Sequence, residues 1–441
     1  MDNYIDYRDI KMSKRLSDNL NLFWLGFMIY FLSYTLTTTL VYIKITQLQL
    51  LQIVGILIFT YASINIIKFR VKNKYLQVLF YAYCLWSLTI IARGFTFDFD
   101  SIKEQLFEAG TGIFIYFVPL ILLFPHNFSF YKKVFNVILI FALFYVLYCS
   151  IFSKDLLNPD RKSTLSQGMV EAFSGLSFTC GFVLFTYIYH DKKKRIFALG
   201  IMVLTLLFAV YRARRGTILM CVSSLLFYLM MYLIVSKKTF MVIYLAIFIA
   251  ALGALFYSNL YNQTNFGIFN FLVERADEDT RTGVEVRFKE DMTTTDWIIG
   301  KGLKGEYFCP GIDEHLDTTG YRPVIETGYL QIILKGGLIS LILLLLILVP
   351  ALIRGLFYSK NVLSKACGMW ILLWILYLYP TMGNTFSLNY MLVWIGVGIC
   401  YSKKFRNLSD AQIKEYFTET KKSNSRARKP GYIQPTENEL S

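Results

Sequence analysis

Three groups of charged residues in this 441-residue chain have the types and spacing that chemistry requires, and each borders an apolar stretch. The densest is Tyr211-Arg212-Ala213-Arg214-Arg215-Gly216, a tight turn between two apolar runs. Guanidinium groups stay charged and bind phosphate oxygens two at a time, so three of them in one turn suit a diphosphate. The bland reading is snorkelling to lipid phosphates or pairing with acidic neighbours. Arg287, in Val284-Glu285-Val286-Arg287-Phe288-Lys289, is a second phosphate candidate, although position alone favours a cation on a solvated helix face.

Glu326, in Pro323-Val324-Ile325-Glu326-Thr327-Gly328-Tyr329-Leu330, stands where an apolar run resumes. A carboxylate there can act as general base for an attacking hydroxyl, or it can complement a helix dipole. His315, in Asp313-Glu314-His315-Leu316-Asp317, is a second base candidate, with an exposed loop histidine as the commoner meaning of such a pattern. Lys335 follows Glu326 by nine residues, about 13 Å along a helix and on its opposite face. Two readings are open for it: it is buried beside a partner, or Glu326 to Gly337 is interfacial and the span begins at Leu338.

The elements that position these groups follow from composition. Hydrophobic residues make up 55% of the chain and charged residues 17%, a balance that leans towards lipid. The net charge of +15 does not imply nucleic-acid binding, because the basic residues punctuate apolar runs instead of clustering on a soluble fold. Aromatic content of 17% with only nine prolines excludes disorder for most of the length. The seven cysteines show neither paired nor metal-ligand spacing.

Cut on the ruler of about 20 apolar residues per span, the chain reads as an all-α polytopic membrane protein with about twelve transmembrane helices. They fall near 21–43, 49–67, 75–92, 110–125, 134–152, 170–189, 196–211, 216–235, 239–258, 327–353, 366–380 and 386–401. No cleavable signal peptide is evident, since the first apolar run is of span length. Lys and Arg are about twofold enriched in alternate short loops, which places both termini inside. On that topology residues 1–258 hold the first nine spans, 259–325 an extracytoplasmic cap, 326–401 the last three spans, and 402–441 a cytoplasmic tail. The cap has the helix-like stretch Thr282 to Ile299, then Gly300, Gly302 and Gly305 to stop the helix and turn. The tail contains a short amphipathic helix with Ser409 as N-cap and Ile413, Tyr416 and Phe417 on one face. Contact with anionic headgroups or disorder is expected for it.

Taken together, the Arg-Gly turn after the seventh span, the large loop before the tenth, Arg287-x(9)-Trp297-Ile298-Ile299-Gly300-x-Gly302, and Glu326-Thr327-Gly328-Tyr329-Leu330-Gln331-x(4)-Gly336-Gly337-Leu338-Ile339 resemble the O-antigen polymerase and O-antigen ligase superfamily. The topology covers almost the whole chain and the local motifs about 60 residues of it. The resemblance implies a C-type glycosyltransferase fold in a bacterial inner membrane, with a cavity facing the periplasm. Substrates would be undecaprenyl-diphosphate-linked glycans as donor and acceptor, with no nucleotide sugar, no obligatory metal and no other cofactor. Membrane lipids surround the protein, and a chain-length regulator and a flippase are candidate partners. By the same resemblance Arg215 and Arg287, with Arg214 and Arg212 beside them, would hold the diphosphate, and Glu326 or His315 would take the hydroxyl proton. The ligase branch typically carries His-Asn or His-Ser where this chain has Glu326-Thr327, which points towards polymerase. The rivals are an O-antigen ligase, which differs in acceptor, and a lipid-linked oligosaccharide flippase or other transporter. No internal repeat is visible and the informative charges gather at one face, which favours an enzyme over a transporter. A purely structural membrane protein leaves the triple-arginine turn unexplained.

Overall fold

The computed structural model describes residues 14–37, 45–160, 163–236, 281–311 and 320–417. Its helices are α1 Lys14–Thr37, α2 Ile45–Ile66, α3 Lys74–Ala92, α4 Phe99–Phe107, α5 Phe128–Ile151, α6 Thr164–Ser177, α7 Cys180–Phe185, α8 Lys192–Tyr211, α9 Arg215–Ser236, α10 Thr282–Asp291, α11 Thr294–Ile299, α12 Gly328–Phe357, α13 Val362–Tyr377 and α14 Leu388–Tyr401. Eight segments are long and apolar enough to cross a membrane, namely α1, α2, α3, α5, the α6–α7 pair, α8, α9 and α12. Three shorter apolar helices, Ile113–Leu123, α13 and α14, complete the bundle among the described residues. The chain is a multi-pass helical membrane protein. The expected span 239–258 lies outside the described residues, as does the first part of the cap.

Two expected spans differ in kind from the rest. The one near 110–125 is a 3₁₀ helix containing Pro119, whose steeper rise lets eleven residues cover about 22 Å. The one near 170–189 is broken at Phe178–Thr179 into α6 and α7.

Packing follows from residue size. Gly26 of α1 and Gly55 of α2 face each other so closely that a Cβ on either would sit under 3 Å from the partner's backbone, a contact that only small residues permit. The centre of the bundle is aromatic, with Trp370, Trp374, Trp394 and Tyr390 buried and the Trp374 and Tyr390 rings stacked at 5.1 Å. Outward faces of α2, α3 and α8 keep Leu57, Ile64, Val78, Leu85 and Leu207 exposed, as lipid contact requires.

Residues 281–311 and 320–325 pack on the first turns of α12 and not on water alone. Phe288 and Tyr307 are fully buried with Met292, Ile325, Leu330 and Leu334. The helix-like stretch proves to be two helices, because Thr293 and Asp296 form a capping box that starts α11. A two-stranded antiparallel pair, β1 Tyr307–Phe308 with β2 Tyr321–Arg322, adds strand to a cap expected to be helical.

α12 is broken at Gly337, which has φ 67° and ψ −177°. The break frees carbonyls at 334 to 336, and neighbouring donors take all three: Lys301 N bonds Leu334 O at 2.7 Å, Gly302 N bonds Lys335 O at 2.9 Å, and Trp86 Nε1 bonds Gly336 O at 2.9 Å. The glycines expected to turn the chain do so, with Gly300 at φ 72° and Gly302 at φ 83°. Arg93 completes the seam by donating to the last carbonyls of α11, Ile299 O at 2.6 Å and Gly300 O at 3.0 Å. Both readings of Lys335 are therefore partly realised. It is buried, it bonds Gly305 O at 2.9 Å, and it belongs to the short segment before the break.

At the opposite end of the bundle residues 402–417 dock against protein. Ser409 Oγ accepts from Gln412 N at 3.3 Å, as an N-cap should, and Ile413 is fully buried. Asp410 Oδ1 accepts from Tyr189 Oη and from Val362 N, and Tyr416 stacks on Phe128 at 4.6 Å. This part of the tail is folded onto the bundle, which corrects the expectation of disorder for it. Residues 418–441 lie outside the described set.

Candidate functional site

α8 ends in a Schellman motif, with Arg214 N bonded to Ala209 O at 2.9 Å and Ala213 N to Val210 O at 3.1 Å. Ala213 takes the left-handed position at φ 50°, where glycine is usual, at a cost of about 1 kcal/mol. Gly216 serves close packing instead of the turn, since its missing Cβ leaves room for Thr381 Cγ2, 3.0 Å from where that atom would lie. The turn sends its three arginines in three directions.

Arg212 goes inward and is completely buried. Its guanidinium donates to Leu156 O at 2.9 and 3.1 Å, Asp160 O at 2.7 Å, Asn158 O at 2.9 Å and Asp155 O at 3.2 Å. A buried charge is tolerable only when so saturated, and here it folds the 155–160 turn. That geometry takes Arg212 out of the phosphate set. We expect Arg212→Ala to cost at least about 3 kcal/mol, since several charge-assisted bonds vanish and buried carbonyls lose their donors. A clear fall in the thermal midpoint of the detergent-solubilised protein measures it; an unchanged midpoint would contradict the staple role.

Arg214 turns to α6, where it pairs with Glu171 and donates to Gln167 Oε1 at 3.2 Å. Arg215 opens α9 and is exposed, one residue before the Gly216 contact with the Pro380–Thr381 segment.

The cap supplies the other half of the site through a residue that carries no sequence motif. Arg281 bonds Pro380 O at 2.8 Å through Nη2 and lies 3.6 Å from Glu326 Oε2 through Nε, an ion pair and not a hydrogen bond. One helical turn on, Glu285 Oε1 accepts from Thr327 Oγ1 at 2.6 Å. These two links tie α10 to the residues that open α12. Arg287 faces away: it is 57% exposed and its nearest partner is Glu290 on the same helix, at 3.8 Å. The reason is periodic. Val284 and Phe288 are the apolar pair that packs inward; positions 281 and 285 lie on one flank of that pair and 287 on the other. That i, i+4 pattern was the available signal, and the motif's spacing obscured it.

Glu326 is 74% exposed and precedes the N-cap Thr327. Gly328 closes the assembly, its absent Cβ leaving room for Thr381 O. The segment Pro380–Gly383, between α13 and α14, is thus touched by Gly216 beside Arg215, by Arg281, and by Gly328 beside Glu326. His315 lies outside the described residues. The other two histidines sit at the opposite end as packing groups, and burial pushes His126 down to about 4, so it stays neutral in the cell.

The cap is held over this end by Lys304, which donates to Thr96 Oγ1 at 2.7 Å and pairs with Asp98 at 3.7 Å. Hydrogen bonds from Thr96 and Ser101 hold the Asp98 carboxyl well below the usual range, so this exposed contact persists to lower pH than an ordinary carboxylate would allow. Among the described residues no group of histidine, cysteine and carboxylate side chains could hold a metal ion. All seven cysteines are free, and six are buried.

Fold and site together define a multi-pass helical membrane protein with a charged, carboxylate-lined end. Comparison with models of known families, with curated proteins and with solved structures yields no match to this chain.

Proposed function

We propose that the protein is a polysaccharide polymerase of the bacterial inner membrane. It would join undecaprenyl-diphosphate-linked repeat units with the site on the periplasmic side of a twelve-span, N-in and C-in bundle. The observation that carries this reading is that Gly216 next to Arg215, Arg281 itself, and Gly328 two residues after Glu326 all touch Pro380–Gly383, which brings segments bearing cations for a diphosphate together with carboxylates that can orient a sugar. The hydroxyl of one lipid-linked unit attacks the anomeric carbon of the glycan on another, and undecaprenyl diphosphate leaves with the bonding electron pair. Fixed guanidiniums stabilise that departing charge, often the largest contribution to such catalysis. Arg214 and Arg215 from the turn and Arg281 from the cap fill this role, and Glu326 keeps Arg281 aligned. Glu326-Thr327 in place of the ligase His-Asn or His-Ser supports the polymerase branch.

The surface glycan of a deletion strain tests the reading. A polymerase leaves one repeat unit on each acceptor. Bare acceptor with stored polymer would mean ligase, and repeat units trapped on the cytoplasmic leaflet would mean flippase; either result overturns the proposal.

A further inference from the structure

A carboxylate that the resemblance does not mention stands beside the same segment. Glu108 follows α4, and its Oε1 accepts from Tyr34 Oη at 2.5 Å and from Gly110 N at 3.0 Å. The point where a Gly110 Cβ would lie is 3.1 Å from Glu108 Oε1, 3.4 Å from Met382 Cε and 3.7 Å from Tyr34 Oη, so these three groups converge. Met382 belongs to the Pro380–Gly383 segment, and Phe386 N bonds Ala109 O at 2.8 Å, which fixes Glu108 to the loop that Arg281 and Gly328 hold from the other side.

Its two hydrogen bonds fix where Glu108 stands but do not neutralise its charge. A negative charge at a helix C-terminus opposes the helix dipole, and no Lys or Arg pairs with this one among the described residues. Oε1 has two donors, while no hydrogen bond to Oε2 is found among the described residues. The titratable groups facing it are Tyr34 and Tyr30 of α1. Two neutral acceptors lie around the same helix end: Gln52, whose Nε2 bonds Phe107 O at 3.3 Å, and Gln105, one turn before Glu108. Gln52 and Gln105 are both buried, and neither side-chain carbonyl oxygen has a donor among the described residues. Glu108 is half-buried and keeps Oε2 free to accept from an incoming hydroxyl, and a saccharide is the hydroxyl-rich partner of this reaction.

We infer that Glu108 is the base for the acceptor saccharide, with Tyr34 as its positioning residue. This rests on the polymerase reading. In the step the acceptor oxygen forms a bond to the donor's anomeric carbon, the bond from that carbon to the phosphate oxygen breaks, and undecaprenyl diphosphate carries off the electron pair. The hydroxyl proton passes to Glu108 Oε2, and the resulting carboxylic acid returns it to water before the next cycle. Oε1, held by Tyr34 and Gly110, keeps the second oxygen aimed.

The test uses the full-length protein in detergent with purified lipid-linked repeat units, following elongation and its pH profile. Wild type must elongate; if it does not, the polymerase reading falls and this inference with it. Glu108→Gln is isosteric and its amide oxygen can keep both bonds, so the fold survives. It is expected to lower kcat by about 100-fold or more with donor KM within about threefold, and to abolish the acidic limb of the profile. Tyr34→Phe removes the hydroxyl that orients the carboxylate and is expected to lower kcat by about tenfold with donor KM unchanged. Glu326→Gln should instead raise donor KM and leave the limb in place. With wild type active, a Glu108→Gln rate near wild type, or an acidic limb that survives it, overturns the inference alone.

Discussion

Alanine at Arg281 is expected to reduce polymerisation by about 10² to 10³-fold, the usual consequence of deleting one fixed donor to a developing charge. Two separate losses drive this. The guanidinium is the cationic group of the cap nearest to Pro380–Gly383, and it is also the bond from α10 to Pro380 O. Lysine at this position would restore a charge without the planar fork, so Arg281→Lys should recover only part of the rate. Arg215→Ala should behave like Arg281→Ala, since both contribute charge to one leaving group. Arg287→Ala is the internal control: an exposed residue whose ion pair among the described residues lies within its own helix should leave activity within about twofold and stability within about 0.5 kcal/mol. Assay of lipid-linked polymer ladders by purified variants decides the matter. Loss of the ladder in Arg287→Ala with retention in Arg281→Ala would return the diphosphate role to the residue that the motif spacing indicates.

The second large effect belongs to Gly337. An added Cβ there would lie 2.1 Å from Ile298 O, 2.4 Å from Ile298 C and 2.6 Å from Ile299 N, all backbone atoms of α11 that cannot swing aside. Its φ of 67° with ψ of −177° belongs to a region that is essentially glycine's own. Clash and conformational strain together place Gly337→Ala beyond about 4 kcal/mol, the range reserved for special backbone positions. Gly300 faces it from the other side, its absent Cβ 2.5 Å from Gly337 N, so Gly300→Ala should fail in the same way. Gly283, in α10 with nothing within 4 Å of its would-be Cβ, should instead gain about 0.5 to 1 kcal/mol on replacement by alanine. Monodisperse yield and thermal midpoint in detergent separate these cases. A well-folded Gly337→Ala protein would show that the seam is slack and that α12 need not break.

That seam explains how the site is assembled. α12 would otherwise run on as a continuous apolar helix, and the cap would have no polar purchase on it. Breaking the helix frees carbonyls that Lys301 and Gly302 then take, which is how a broken helix satisfies its backbone in an apolar setting. Arg281, Glu285 and Glu326 are positioned because the cap is sewn down there.

Much of the architecture was legible in the residues themselves. Run length and apolar content located eleven of the twelve expected spans on apolar helical segments, while 239–258 lies outside the described residues. Local chemistry foretold Ser409 as an N-cap and Gly300 and Gly302 as turns, because caps and left-handed residues are decided within a few positions of chain. The turn at 212–216 and the start of an apolar helix just after Glu326 were also legible in sequence. What sequence could not assign was the side to which each long side chain turns. Arg212, Arg214 and Arg215 are equivalent in type and adjacent in the chain, yet one is buried among carbonyls, one pairs with Glu171, and one is exposed. Arg281 and Glu108 carry no motif, and they matter only because Pro380–Gly383, about a hundred and nearly three hundred residues away, packs beside them. Hydropathy and capping are local free energies that the chain carries with it. Desolvation, pairing and the direction of a charged side chain are set by atoms brought from distant segments, and for those the tertiary structure alone was decisive.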